Sequence, residues 1–330
     1  MNKKVIITES RTVAKAIAQA LGVNVLNKGY FGKGNIAVTW TGGNIITATP
    51  KCKFQFSVCS DMTADETFAE NFNFNIRKDS KGKGAKGNRR PSDKDVAQVS
   101  VIEKLWKDAV VVYNAMKPSA NGEVIFTSLS NYINSPRKVN RMWLQSVTRQ
   151  SVLAAFDNPG STPPGYWEFH DNAIAEYTIG ARPMEGVNDL GEAPVETTVW
   201  SMKNLKHEAY NRRGWSPAKT TGVAYSLYNK GLISYPDDEP KATLPESVKE
   251  VITYCAANLL HHPMLGVKAK VAVITGSESI WDSNVSTQPH HGIVPTGLYP
   301  VDLTPDEEHL YNIVAGHCLD IFSSANPRLG

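Results

Sequence analysis

The sequence predicts an α/β fold over roughly residues 1–145, a parallel sheet covered by helices, followed by a mostly helical region. Three observations carry this expectation. Two strand–loop–helix units begin at Val5 and at Ala109, and alternating strands and helices build parallel sheets. From about residue 141 the apolar positions recur at helical spacing instead. The 330 residues are 41% apolar and 20% charged, ordinary for a folded chain and, at about 100–200 residues per domain, enough for two domains.

The elements follow in order. Val5–Ile7 form a short apolar strand ending at Thr8-Glu9-Ser10; a helix follows with Val13, Ala14, Ile17, Ala18 and Leu21 on one face and Gly22 as its stop. Residues 36–50 read as paired short strands with Gly42-Gly43 as the turn. Residues 77–95 hold eight basic and three acidic residues and almost nothing apolar, which predicts a mobile basic loop. The second unit is a helix over 96–108, a strand over 109–113, a loop over 114–122 and a helix over 123–133. In parallel sheets functional groups gather at the carboxyl ends of the strands, here Glu9 and residues 114–123. Residues 148–157 and 170–182 read as helices around the Pro/Gly-rich linker 158–165. The helix over 217–230 has Ser216 as N-cap, Pro217 at its first position and Gly231 just past its end. The extended run Leu232-Ile233-Ser234-Tyr235 then meets Pro236, which steers Tyr235 away from helix.

Charge is distributed unevenly. The net charge is +3, but residues 1–150 carry 23 Lys and Arg against 11 Asp and Glu, and the remainder 12 against 21. A basic half of this kind suits a polyanion. No apolar run approaches the ~18 residues needed to span a bilayer, and the N-terminus lacks the apolar core of a signal peptide. The four cysteines (Cys52, Cys59, Cys255, Cys318) show no paired spacing and read as reduced thiols of a cytoplasmic protein.

Four stretches, in order, resemble the type IA DNA topoisomerases, most like the bacterial topoisomerase III branch. KVIITESRTVAKAIAQALG (4–22) is similar to the opening of the Toprim domain, and RMWLQSVTRQSVLAAFDNP (141–159) to the segment after it. NLKHEAYNRRGWSPAKTTGVAYSLYNKGLISYP (204–236) resembles the segment ending in the nucleophilic tyrosine, and QPHHGIVPTGLYPVDLTPDEEHLYNIVAGHCLDIF (288–322) a further stretch of the gate domain. The resemblance implies a Toprim-like domain over 1–145, a shortened connecting region over 146–200 and a gate region over 201–330. It implies cleavage of single-stranded DNA through a phosphotyrosine on Tyr235, then strand passage and religation, with Glu9 as acid/base near the scissile phosphate. His291, Arg141 and Lys117 are the implied DNA contacts, and Mg²⁺ is the implied cofactor, with Glu123 and Glu9 as the carboxylates left to hold it. A helicase or mobile-element partner stays open.

The departures are as informative. Where the family reads Asp-x-Asp-x-Glu-Gly-Glu, this chain reads Lys117-Pro-Ser119-Ala-Asn121-Gly122-Glu123. Three metal-side acids are replaced, so a tight Mg²⁺ site is not expected, since one carboxylate rarely holds that ion. The family's Lys after Glu9 is Ser10, and its Arg after Tyr-Pro is Asp237, followed by Asp238. The long arch segment normally found between positions matching Ala181 and Trp200 is missing, and whether a second polypeptide supplies it is open. An alternative reading is therefore a degenerate relative that binds single-stranded DNA without cutting it.

Overall fold

The computed structural model describes residues 3–51, 63–78, 90–178, 199–237, 244–245, 248–275, 281–282 and 290–324. The chain divides into two compact units. One comprises residues 1–144, 149–162 and 166–183, the other 145–148, 163–165 and 184–330. The helices expected in a separate connecting region thus belong with the sheet.

The first unit is built on a six-stranded sheet. Its strands are β1 (Lys3–Thr8), β2 (Leu26–Asn27), β3 (Tyr30–Lys33), β4 (Ile36–Trp40), β7 (Ala109–Asn114) and β8 (Lys138–Arg141), in the order β2-β3-β4-β1-β7-β8. Strands β4, β1, β7 and β8 are mutually parallel, with Val5 opposite Ala37 and Val112. The β2–β3–β4 edge is antiparallel. Val5, Ile6 and Ile7 are all fully buried, as a parallel strand covered on both faces requires. Helix α1 (Arg11–Ala20) buries Val13, Ala14, Ile17 and Ala18. Helices α3 (Asp93–Lys107) and α4 (Ala120–Ile133) bring Ile102, Leu105, Trp106, Ile125 and Leu129 into one core with Val5, Ile7 and Val112.

The stretch 36–50 corrects the sequence expectation. It does hold two strands, but they pair elsewhere: β4 lies in the main sheet, whereas β5 (Ile46–Pro50) pairs antiparallel with β6 (Phe72–Ile76). The distant partner leaves no local sequence signal. Helices α2 (Ala64–Asn71), α5 (Arg149–Asp157) and α6 (Tyr166–Thr178) complete this unit. Phe68 of α2 packs with Phe72, Phe74 and Tyr177 in a cluster of rings.

The second unit is helical. It contains α7 (Met202–Arg213), α8 (Pro217–Asn229), α9 (Lys249–Asn258), α10 (Gly266–Thr275) and α11 (Pro305–Ser324), with the two-residue strands β9 (Leu244–Pro245) and β10 (Trp281–Asp282). Ser216 caps α8 through Lys219 N, and Gly231 takes φ +75° just past its end, as expected. Within this unit Trp200 stacks on His317 with centroids 3.8 Å apart. Among the described residues no helix is long and apolar enough to cross a membrane. Most of the expected basic loop lies outside the described residues, as do Cys52, Cys59, Asp238 and the shortened arch segment.

Candidate active site

In the first unit the parallel register of β1 and β7 puts Glu9 and the 115–119 loop past the same ends of adjacent strands. The Glu9 carbonyl accepts from Gly42 N at 2.7 Å, tying the turn after β1 to the turn after β4. Ser10 caps α1, its Oγ accepting from Val13 N at 3.1 Å. Glu9, Arg11, Trp40 and Lys94 line an open cavity of about 690 Å³. The Arg11 guanidinium sits 5.7 Å above the Trp40 ring. Positive charge beside a half-buried aromatic ring is the chemistry that holds single-stranded nucleic acid.

The loop after β7 is shaped by backbone. Ser119 caps α4, accepting from Gly122 N at 3.0 Å. A Cβ on Gly122 would stand 2.2 Å from the Lys117 carbonyl oxygen, so only glycine fits there. One residue on, Glu123 is 0% exposed. Its Oε1 accepts from Arg141 Nε at 3.0 Å and Nη2 at 2.7 Å. Its Oε2 accepts from Tyr166 Oη at 3.0 Å and meets His170 Nδ1 at 3.2 Å. Those four contacts use the bonding capacity of one carboxylate. His170 Nε2 lies 3.2 Å from Asp65, which closes a chain of two acids and two cations.

The ionisation of this chain follows from its geometry. Burial alone would push Glu123 up, but Arg141 and His170 outweigh it and hold the carboxyl below its usual range. Burial alone would push His170 down, yet the Asp65 and Glu123 carboxylates raise it to about 10. Desolvation and the neighbouring Glu123 charge raise the Tyr166 phenol.

This geometry corrects two expectations from the resemblance. Arg141 is buried at the end of β8; besides Glu123, it donates to the carbonyls of Asn114, Met116 and Met142. Its side chain is only 4% exposed and is spent on partners inside the protein. Glu123, expected as a weak metal ligand, has no lone pair left for a cation. The residues present do not fit Mg²⁺ here, and among the described residues no group of three His, Cys, Asp or Glu converges. Lys117 is half-buried on the loop, and its carbonyl accepts from Ser119 N and Arg141 Nη2. Asp65, Tyr166 and His170 escape a sequence reading because they come from α2 and α6, far along the chain.

In the second unit the extended run after Gly231 is held on both sides. Ser234 N donates to the Val294 carbonyl and Thr296 N to that of Leu232, while Tyr235 N donates to the Gln145 carbonyl at 2.9 Å. This fixes the Tyr235 ring, 3% exposed, among other rings. Tyr228 stands edge-on at 5.5 Å, Tyr225 is tilted at 6.0 Å and His290 lies at 5.4 Å. Of the histidine pair, His290 rather than the expected His291 has its ring on the tyrosine. His291 Nδ1 donates to the Gly292 carbonyl at 2.8 Å, and burial lowers its ionisation. Tyr225 and Tyr228, three apart on α8, carry a weak sequence signal, a shared helix face.

Comparison with known proteins accounts for both regions. The family model for the Toprim domain matches residues 4–147, and that for DNA topoisomerase matches residues 191–327. DNA topoisomerase 1 of Methanothermobacter thermautotrophicus is 30% identical over 125 residues, 37% of this chain and 16% of that one. DNA topoisomerase 1 of Pyrococcus horikoshii is 33% identical over 125 residues, 37% of this chain and 18% of that one. DNA topoisomerase 3 of Staphylococcus aureus is 27% identical over 161 residues, 47% and 20% of the two chains. These alignments span about a fifth of the curated relatives' length. Full-length topoisomerase I from Thermotoga maritima shares the fold with a TM-score of 0.57 at 15% identity, covering 98% of this chain and 60% of that one. With a Toprim domain and a topoisomerase domain following one another, the chain belongs to the type IA DNA topoisomerase family.

Proposed function

We propose that the chain acts on single-stranded DNA through Tyr235, cutting a strand slowly and relaxing supercoiled DNA poorly. The observation that carries this reading is the setting of Tyr235: backbone hydrogen bonds hold it, and Tyr225, Tyr228 and His290 pack around it. In the proposed step the Tyr235 Oη–phosphorus bond forms as the P–O bond to the adjoining deoxyribose breaks. The phenolic proton leaves Tyr235 and the departing oxygen gains one. The phosphotyrosine keeps the bond energy for rejoining. Positioning does most of the work in phosphoryl transfer, and no step is assigned to Mg²⁺ because Glu123 is saturated. The cavity at Glu9, with Arg11, Lys94 and Trp40, supports strand binding by the first unit. Glu9 remains the proposed acid/base, and Lys117 and His291 remain proposed DNA contacts.

The second reading, binding without cleavage, is favoured by the replaced acids at 117, 119 and 121. Incubation with labelled single-stranded DNA, followed by detergent trapping, separates the two. A covalent adduct that disappears in Tyr235→Phe supports cleavage. An adduct that persists in Tyr235→Phe shows that another group is the nucleophile, and tight binding with no adduct favours the second reading.

A further inference from the structure

The phenol read as the nucleophile shares its pocket with a second one. Tyr225 lies on α8, ten residues ahead of Tyr235, and the chain reverses at Gly231 so that the two face each other. Their Oη atoms are 3.3 Å apart. Tyr225 is half-buried, whereas Tyr228 and Tyr235 are each 3% exposed. Among the described residues, the titratable groups packed on Tyr235 include the phenols of Tyr225 and Tyr228 from α8 and the imidazole of His290; Asp237 stands two residues on.

We propose that Tyr225 is a positioning residue for Tyr235, its hydroxyl donating to the Tyr235 oxygen that attacks and later leaves phosphorus. The inference rests on reading Tyr235 as the nucleophile. A phenol oxygen has two lone pairs and one hydrogen, and rotation about its C–O bond decides which of these faces a phosphate. A fixed donor settles that choice. As the Tyr235 proton departs, negative charge gathers on Oη, and a hydroxyl already aimed at it becomes a charge-assisted donor. When the strand is rejoined, Oη leaves phosphorus with the same charge and meets the same donor. The 3.3 Å separation is long for two neutral hydroxyls and shortens as that charge grows. Tyr225 itself forms no bond to phosphorus and gives up no proton.

Tyr225→Phe removes one oxygen and keeps the ring packing. The test is single-turnover adduct formation on a labelled oligonucleotide across pH, with affinity measured by anisotropy. Adduct formation should slow about 10- to 100-fold, the worth of a hydrogen bond to a charged oxygen, with Kd changed less than about twofold and the rise of rate with pH displaced upward. An unchanged rate and pH profile, with an adduct still lost in Tyr235→Phe, overturns the proposal and leaves the reading of Tyr235 standing. An adduct retained in Tyr235→Phe removes that reading, and the proposal with it. If the unmodified chain gives no adduct, NMR of ¹³Cζ-labelled tyrosine decides without turnover, Tyr235→Phe identifying the signal. Ionisation of Tyr235 at higher pH in Tyr225→Phe supports the hydrogen bond; an unmoved signal overturns it.

Discussion

Glu123 in the first unit and Tyr235 in the second are both buried, yet they are buried in opposite ways. Glu123 is surrounded by charge: Arg141, His170 and the Tyr166 hydroxyl saturate it, and Asp65 balances the second cation. Tyr235 is surrounded by rings, with a neutral hydroxyl at its oxygen. Burial by strong ionic partners consumes a group's bonding capacity, because each partner would be stranded if the group turned away. Burial among rings fixes position and leaves reactivity in place. The first region holds an acid of the family motif as structure, and the second holds the phenol proposed as nucleophile among rings.

The largest expected effect tests the second region. Tyr235→Phe should reduce adduct formation to background, a loss of at least about 10³-fold, or roughly 4 kcal/mol of barrier, read by detergent trapping. A large residual signal would erase the contrast between the two regions.

Next in size is the first region's ionic chain. Arg141→Ala strands the fully buried Glu123 carboxylate, and breaking a buried pair costs about 3–5 kcal/mol. Denaturant unfolding should show that loss, while single-stranded DNA binding by the folded protein stays unchanged. A variant of normal stability that loses DNA affinity would put Arg141 back on the DNA face.

Strand binding should weaken with salt. Three phosphate contacts to a single strand predict a Kd about 20-fold weaker at 200 mM than at 50 mM salt. An affinity indifferent to salt would remove the case for the cationic cavity at Arg11 and Lys94.

The remaining effect is a pH dependence of stability. His170 titrates near 10 in the fold, above its unfolded value of about 6.5. Its contribution is therefore complete below about pH 6.5 and fades as pH rises through 10. The melting temperature should fall by several degrees from pH 7 to pH 10, and His170→Gln should flatten that fall. A melting curve insensitive to pH over this range would mean that His170 does not carry a charge between the two acids.

The fold was largely legible from the residues. The apolar runs at Val5 and Ala109, the Ser216-Pro217 start and the Gly231 stop all fall where their elements do, because strand burial and helix capping are local effects. The β5–β6 pairing and the Asp65–His170–Glu123 chain were not, since they join residues 22 to 105 positions apart, and composition carries no signal for a contact of that range. Glu123 shows the limit most clearly: the motif around it suggests a ligand for a cation from solution, and only the fold reveals that protein cations already occupy it. Tyr225 was hidden for the same reason, since helix spacing pairs it with Tyr228 and the turn at Gly231 pairs it with Tyr235.

The close approach at Gly122 bears on whether the change at the acid loop can be undone. The close approach of Gly122 to the Lys117 carbonyl and the Ser119 cap on Gly122 N set the curve from Lys117 to Gly122, and the side chains at 117, 119 and 121 are half-buried. An aspartate at 119 would cap α4 as well as Ser119 does, and a glutamate at 121 would sit favourably in the first turn of the helix. The acids could therefore return by three substitutions without rebuilding the scaffold. The loop is an emptied socket rather than a collapsed one, and Lys117→Asp with Ser119→Asp and Asn121→Glu should give a folded chain whose DNA cleavage responds to Mg²⁺ more strongly than that of the unmodified chain.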